Sequence, residues 1–181
     1  MDFKQVVKDL VTTVIVAGVI VGLGIALTGT WPFMVAVQSG SMEPHLHIGD
    51  VIILVSPSRT KIITWEEGKK IGYRMFGDYG DVIVYYPDGD HQLTPIIHRV
   101  IAWVNKGDRI PMLDHGKLVL TKFVAPCSGY ITQGDHNSIP DQIAELPNGM
   151  RILPVKPSWI VGVAKFRIPY IGYLRLLIPI R

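Results

Sequence analysis

From Leu10 to Leu27 the chain consists of Leu, Val, Ile, Ala and Gly, apart from Thr12 and Thr13, and no charge occurs between Asp9 and Glu43. A segment this long and apolar leaves few options. As a helix it spans about 27 Å, close to the thickness of a bilayer's hydrocarbon core, so residues 10–29 are expected to form one transmembrane helix. A cleavable signal peptide is the competing reading, because Ala26-Leu27-Thr28 is small at both flanks. Its apolar stretch would, however, exceed the usual run of about 7–15 residues, and the basic flank is weak. Lys4 and Lys8 precede the run and the next cation is Arg59. The positive-inside rule then puts residues 1–9 in the cytoplasm and the remainder outside the cell membrane. Gly18 and Gly22 form a small-xxx-small pair that could dock a partner helix, although glycine is common in membrane spans and the pair alone does not establish one.

With 181 residues in all, the chain has room after this anchor for one domain of ordinary size. A single cysteine, Cys127, excludes an internal disulfide framework and a multi-cysteine zinc site. The net charge of +3 raises the question of nucleic acid, and the distribution of charge answers it. Residues 31–150 hold ten Lys and Arg against thirteen Asp and Glu, whereas 151–181 hold Arg151, Lys156, Lys165, Arg167, Arg175 and Arg181 with no acid. Those C-terminal cations alternate with Trp159, Phe166, Tyr170 and Tyr173. That pattern suits an anionic bilayer surface better than a phosphate groove, so lipid and not nucleic acid is the expected contact. Residues 166–181 are read as a membrane-interfacial segment, with a final strand as the alternative before Phe166 and room for only a short helix between Pro169 and Pro179.

Between the two membrane-directed ends the pattern is β-type. Phe33–Gln38, Asp50–Val55, Asp81–Tyr86, Pro95–Val104, Lys117–Val124 and Gly129–Gln133 are rich in Val, Ile and Tyr, with turn signals such as Pro87-Asp88-Gly89-Asp90 between them. Residues 30–165 are therefore expected to form a mainly β extracytoplasmic domain. The charged stretch 56–79 reads as a surface insertion carrying a short helix that opens on the capping box Thr64-Trp65-Glu66-Glu67.

Two segments of this domain can carry chemistry together. In Gln38-Ser39-Gly40-Ser41-Met42-Glu43-Pro44 a tight turn follows an apolar strand and lifts Ser41 out of the sheet. In Ile96-Ile97-His98-Arg99-Val100-Ile101 the alternation sets His98 beside Ile96 and Val100, half buried on a rigid strand, which favours a neutral imidazole. Such a histidine within reach of a serine can take its proton during nucleophilic attack and return it to a leaving amine. A third group must hold the ring, and Asp135 and Asp141, in the turn-rich stretch Gln133–Asp141, can each accept its other N–H. His98, Asp135, His136 and Asp141 could also ligate a metal, but no compact His-x-x-x-His spacing supports that reading. His45, His47, His91 and His115 are treated as surface or turn residues.

Ser-Gly-Ser-Met-Glu-Pro, Gly-Asp-Val-Ile-Val-Tyr, Ile-Ile-His-Arg-Val and Gly-Asp-His-Asn followed by Asp141 occur in this order behind one N-terminal span. In that order they resemble the motifs of type I signal peptidases, over roughly residues 1–104 and 128–173. Because His98 stands where the Ser–Lys enzymes carry lysine, the similarity is to the archaeal and endoplasmic-reticulum branch. The resemblance implies a membrane-bound serine endopeptidase that removes signal peptides from secreted preproteins after small residues, in an Ala-x-Ala-like pattern, without a cofactor. It implies Ser41 as nucleophile, His98 as general base, Asp141 as the essential acid with Asp135 supporting it, and Ser39 as an oxyanion-hole donor beside the backbone of Ser41. His136 departs from the family, which more often has asparagine there, and could compete for either acid. A non-catalytic membrane-anchored β domain that binds envelope partners would explain the span and the β composition, but not the order of the four motifs.

Overall fold

The computed structural model describes residues 2–145, 149 and 151–171. The first element is one long helix, α1 (Phe3–Thr28), begun by the Asp2 side chain accepting from the Lys4 N–H and ended by Gly29 in the left-handed region. It starts well before the apolar run, so Lys4 and Lys8 lie on its first turns. Its apolar side chains are almost all exposed, and none of the most hydrophobic window is buried against the rest of the chain. By length and composition this solvent-facing apolar cylinder is a candidate membrane span.

A six-stranded antiparallel sheet follows, built from β1 (Met34–Ala36), β2 (Val51–Val55), β5 (Val82–Tyr85), β6 (Ile96–Val104), β9 (Gly129–Gln133) and β10 (Ile160–Ile168). The small pair β3 (Arg74–Met75) and β4 (Asp78–Tyr79), and the hairpin of β7 (Arg109–Asp114) and β8 (Lys117–Val124), stand outside it. The sheet order is β1-β2-β10-β5-β6-β9. The strand that comes last in the described chain thus lies in the middle, paired with β2 on one side and β5 on the other. Both faces of the sheet centre are covered. Val82 and Val84 pack with Met42, Leu46, Ile52 and Leu54, while Ile83 and Tyr85 pack with Val100, Val155 and Val163 on the other face. Burial on two sides is why Val-Ile-Val-Tyr is apolar at every position and does not alternate.

Two expectations change here. The β10 ladder with β2 runs through Phe166, Arg167 and Ile168, so the start of the presumed membrane-interfacial segment is sheet. A register shift between Ala164 and Phe166 turns Phe166 outward, which keeps the cation and aromatic pattern on the surface although the backbone is a strand. Residues 172–181, which include most of the stretch between Pro169 and Pro179, lie outside the described residues. The 56–79 segment is also more than a surface insertion. Its helix α2 (Trp65–Ile71) has the expected capping box of Thr64 and Glu67, but Ile62, Thr64 and Trp65 are buried. A Cβ on Gly68 would lie 2.6 Å from the Gly80 nitrogen, so this helix packs directly on the chain leading into β5.

Candidate active site

Ser41 sits in a 3-10 turn, Gly40–Met42, entered from Ser39 in an extended conformation. Met42, within the turn, and Leu46, just after it, are fully buried, and that burial pins the turn while leaving the hydroxyls of Ser39 and Ser41 at the surface. The Ser41 carbonyl accepts from the His136 backbone N–H at 2.9 Å, which ties the turn to the loop after β9. Ser39 Oγ lies 3.3 Å from Ser41 Oγ.

His98 projects from β6, opposite Ile83 of β5, and is buried. Its Nε2 lies 2.9 Å from Ser41 Oγ, and its Nδ1 lies 2.7 and 2.9 Å from Asp141 Oδ2 and Oδ1. A carboxylate only accepts, so the ring proton belongs on Nδ1, leaving the Nε2 lone pair to accept the Ser41 hydroxyl proton. Asp141 is itself held from behind. Its Oδ2 accepts from Tyr85 Oη at 2.8 Å and Thr132 Oγ1 at 2.7 Å, and its backbone N–H donates to the Thr132 carbonyl. Burial, and secondarily the adjacent Asp141 carboxylate, push the Tyr85 phenol well above its ordinary value, so Tyr85 stays a donor across the working pH range. Three donors converging on one oxygen leave the carboxylate a single orientation.

Asp135 faces elsewhere. Arg99, fully buried beside His98 on β6, grips it in a fork, Nε to Oδ1 and Nη2 to Oδ2, both at 2.7 Å. The remaining guanidinium nitrogen, Nη1, donates to the carbonyls of Met75, Gly80 and Tyr79 at 2.9–3.1 Å. The second partner of Asp135 is His45, whose Nδ1 is 2.8 Å from Oδ2. His45 lies in a turn, one of the two places its sequence setting suggests, but its ring is half-buried against Asp135. No spacing rule connects it to an acid ninety positions away, and the only clue was its place in the same turn-rich stretch as Ser41. His136 is exposed and reaches the site through its backbone alone. The four residues weighed as a metal cluster therefore do not converge, since Asp135 and His136 point away from the pair His98–Asp141.

A cavity of about 620 Å³ opens beside Ser41 and His98, lined mainly by apolar side chains including Val35, Ala36, Val84, Ile96 and Ile97. Gly134 closes the other side of the site, where a Cβ would lie 2.5 Å from the Ser41 carbonyl and 2.9 Å from His98 Nε2. Any larger residue there would push the serine and the histidine apart.

The profile of the signal peptidase family, peptidase S26, matches residues 7–142, a range that includes every residue of this cluster. The chain is 32% identical over 157 residues to the signal peptidase complex catalytic subunit SEC11 of Yarrowia lipolytica, covering 87% of this chain and 69% of that protein. It is 32% identical over 153 residues to SEC11 of Schizophyllum commune (84% and 67%) and 30% identical over 157 residues to SEC11 of Saccharomyces cerevisiae (87% and 71%).

Proposed function

The chain belongs to the signal peptidase family, peptidase S26, and from that premise we propose that it cleaves signal peptides by a Ser41–His98–Asp141 mechanism on the outer face of a membrane. The observation that carries the assignment of roles is the unbroken relay from Ser41 Oγ through both ring nitrogens of His98 to Asp141, at 2.9 and 2.7 Å. As Ser41 Oγ attacks the scissile carbonyl, its proton passes to His98 Nε2, and Asp141 stabilises the imidazolium that forms. The oxyanion is met by the Ser41 N–H and the Ser39 hydroxyl, a type of donor worth about 2.7–4 kcal/mol in the transition state. His98 then gives its proton to the leaving amine, which departs as the new N-terminus. A water molecule deprotonated by the same imidazole hydrolyses the acyl-enzyme. The cycle requires the free lone pair on His98 Nε2, which a protonated ring lacks.

The cavity beside Ser41 suits an extended apolar peptide, with small residues such as alanine at the first and third positions before the cut. Residues 10–29 span the bilayer with Lys4 and Lys8 on the cytoplasmic side, and exposed Trp31, Phe166 and Tyr170 rest among headgroups. This arrangement keeps Ser41 near the surface from which preprotein cleavage sites emerge. The SEC11 relatives are catalytic subunits of a complex, and the Gly18 and Gly22 face of α1, with nothing within 4 Å of either position, is open to a neighbouring helix of such an assembly.

The test is to incubate the detergent-solubilised full-length chain with a preprotein carrying an Ala-x-Ala site, in parallel with Ser41→Ala and His98→Ala, and to map any new N-terminus. Cleavage after the second alanine by the wild type alone is the expected result. Cleavage retained in Ser41→Ala would place the nucleophile elsewhere.

A further inference from the structure

Arg59, the first cation after the apolar run, reaches back across the fold to the end of α1. Its Nη1 donates to the carbonyls of Ala26 at 2.7 Å and Leu27 at 3.0 Å. Both belong to the last turn of the helix, where carbonyls have no intrahelical partner. A guanidinium at that end also opposes the negative pole of the helix, and it does so at the membrane boundary, where weaker screening strengthens the contact. Gly29 is needed twice over. Its φ of 73° ends the helix, and a Cβ on it would lie 2.5 Å from Arg59 Nε. Three further contacts converge on the same end of the helix. The Ser56 N–H donates to the Thr28 carbonyl at 2.8 Å, Thr30 Oγ1 donates to the Val161 carbonyl on β10 at 2.6 Å, and the Phe33 ring lies so close to Gly24 that a Cβ there would be 2.6 Å from it.

We propose that Arg59 is a positioning residue that locks the membrane helix to the sheet, so that Ser41 is held at one height above the bilayer and cuts membrane-inserted preproteins at one register. The proposal rests on the reading of Ser41 as the nucleophile acting at the membrane surface. A substrate held by its own apolar segment in the same bilayer meets a reacting group of fixed depth, and that encounter is prearranged only if the anchor and the domain move as one body. A soluble peptide carries no such constraint. The lock should therefore matter to one class of substrate and not to the other.

Wild type, Arg59→Ala and Arg59→Lys are reconstituted as full chains in vesicles of phosphatidylcholine and phosphatidylglycerol. Each is given either a preprotein inserted in the same vesicles or a short soluble peptide bearing the same cleavage site. Arg59→Ala should lower kcat/KM for the inserted preprotein about tenfold and leave the peptide within about twofold. It should also scatter the preprotein cuts over neighbouring positions, and Arg59→Lys should restore part of both. An equal loss on both substrates would overturn the proposal, because it would mean general damage to the fold; so would an unchanged rate and register on the preprotein. If the wild type cuts neither substrate, the catalytic reading fails, and a second readout still decides the role of Arg59. Energy transfer from a dye on Cys127 to headgroup acceptors should give a narrow distance distribution in the wild type and a broad one in Arg59→Ala, and identical distributions would refute the lock.

Discussion

Asp135 and Asp141 are the same side chain in the same short stretch of sequence, yet the fold gives them opposite neighbours. Asp141 accepts from His98, Tyr85 and Thr132; Asp135 is gripped by Arg99 and His45. Their asparagine variants should therefore fail differently. Asp141→Asn keeps the volume but turns an acceptor-only group into one that can donate toward Nδ1, favouring the wrong ring tautomer, and kcat should fall by about 10⁴-fold with little change in Tm. Asp135→Asn strips a buried guanidinium of its counter-charge, which typically costs about 3–5 kcal/mol of stability, so its signature should be a lowered Tm, with activity lost only as the protein unfolds. Thermal melts beside steady-state kinetics separate the two, and a stable but inactive Asp135→Asn would contradict this division. The sequence brought Ser41, His98 and both acids into view through motif order and the alternation around His98. It could not say which acid faces the ring, because that depends on the register of β9 against β6 and on the Asp141 N–H bond to Thr132, both of which are long-range. His45 was out of reach for the same reason.

Among the elements, α2 is the one whose local code is most complete. Thr64 Oγ1 accepts from the Glu67 N–H, and Glu67 returns a bond to the Thr64 N–H. That backbone bond, together with the Lys61 ammonium, holds the Glu67 carboxyl below its ordinary value against a smaller opposing effect of burial. A depressed folded-state pKa means the stabilisation is present above the unfolded value and is lost as pH falls through the folded one. Glu67→Gln should therefore melt below wild type at neutral pH, and the gap should close in acid; a gap that persists in acid would show the charge to be irrelevant. Thr64→Ala, which removes the cap outright, should cost about 1 kcal/mol. The strands were less evenly legible. Lys117–Val124 and Gly129–Gln133 coincide with β8 and β9, whereas β7 and β10 were not expected as strands in full. Pro111 interrupts the β pattern of Arg109–Asp114, and it is tolerated because that hairpin lies outside the main sheet, beside a register shift. In β10, Gly162 weakens the signal because the strand approaches Leu54 so closely that a Cβ would lie 2.7 Å from it, and the aromatic and cationic residues after Ala164 resemble a lipid-facing pattern more than a strand.

At the scale of the whole molecule, the sheet consists of two parts joined by one strand. β1 and β2 lead into and support the Ser41 turn, β5, β6 and β9 carry His98 and the approach to Asp141, and among the described residues β10 is the sheet's sole connection between them. A chain truncated after Trp159 keeps Ser41, His98 and Asp141, the groups of the proposed mechanism, and should nonetheless give no turnover on preprotein or peptide; full activity in that variant would show the two parts to be held together by other contacts. For a protein made from its N-terminus onward, this layout sets a schedule. The anchor and the serine turn are synthesised first and the histidine strand later, but the ladder that aligns them closes only after residues 160–168 have left the ribosome. Until that moment the growing chain is a peptidase in composition only.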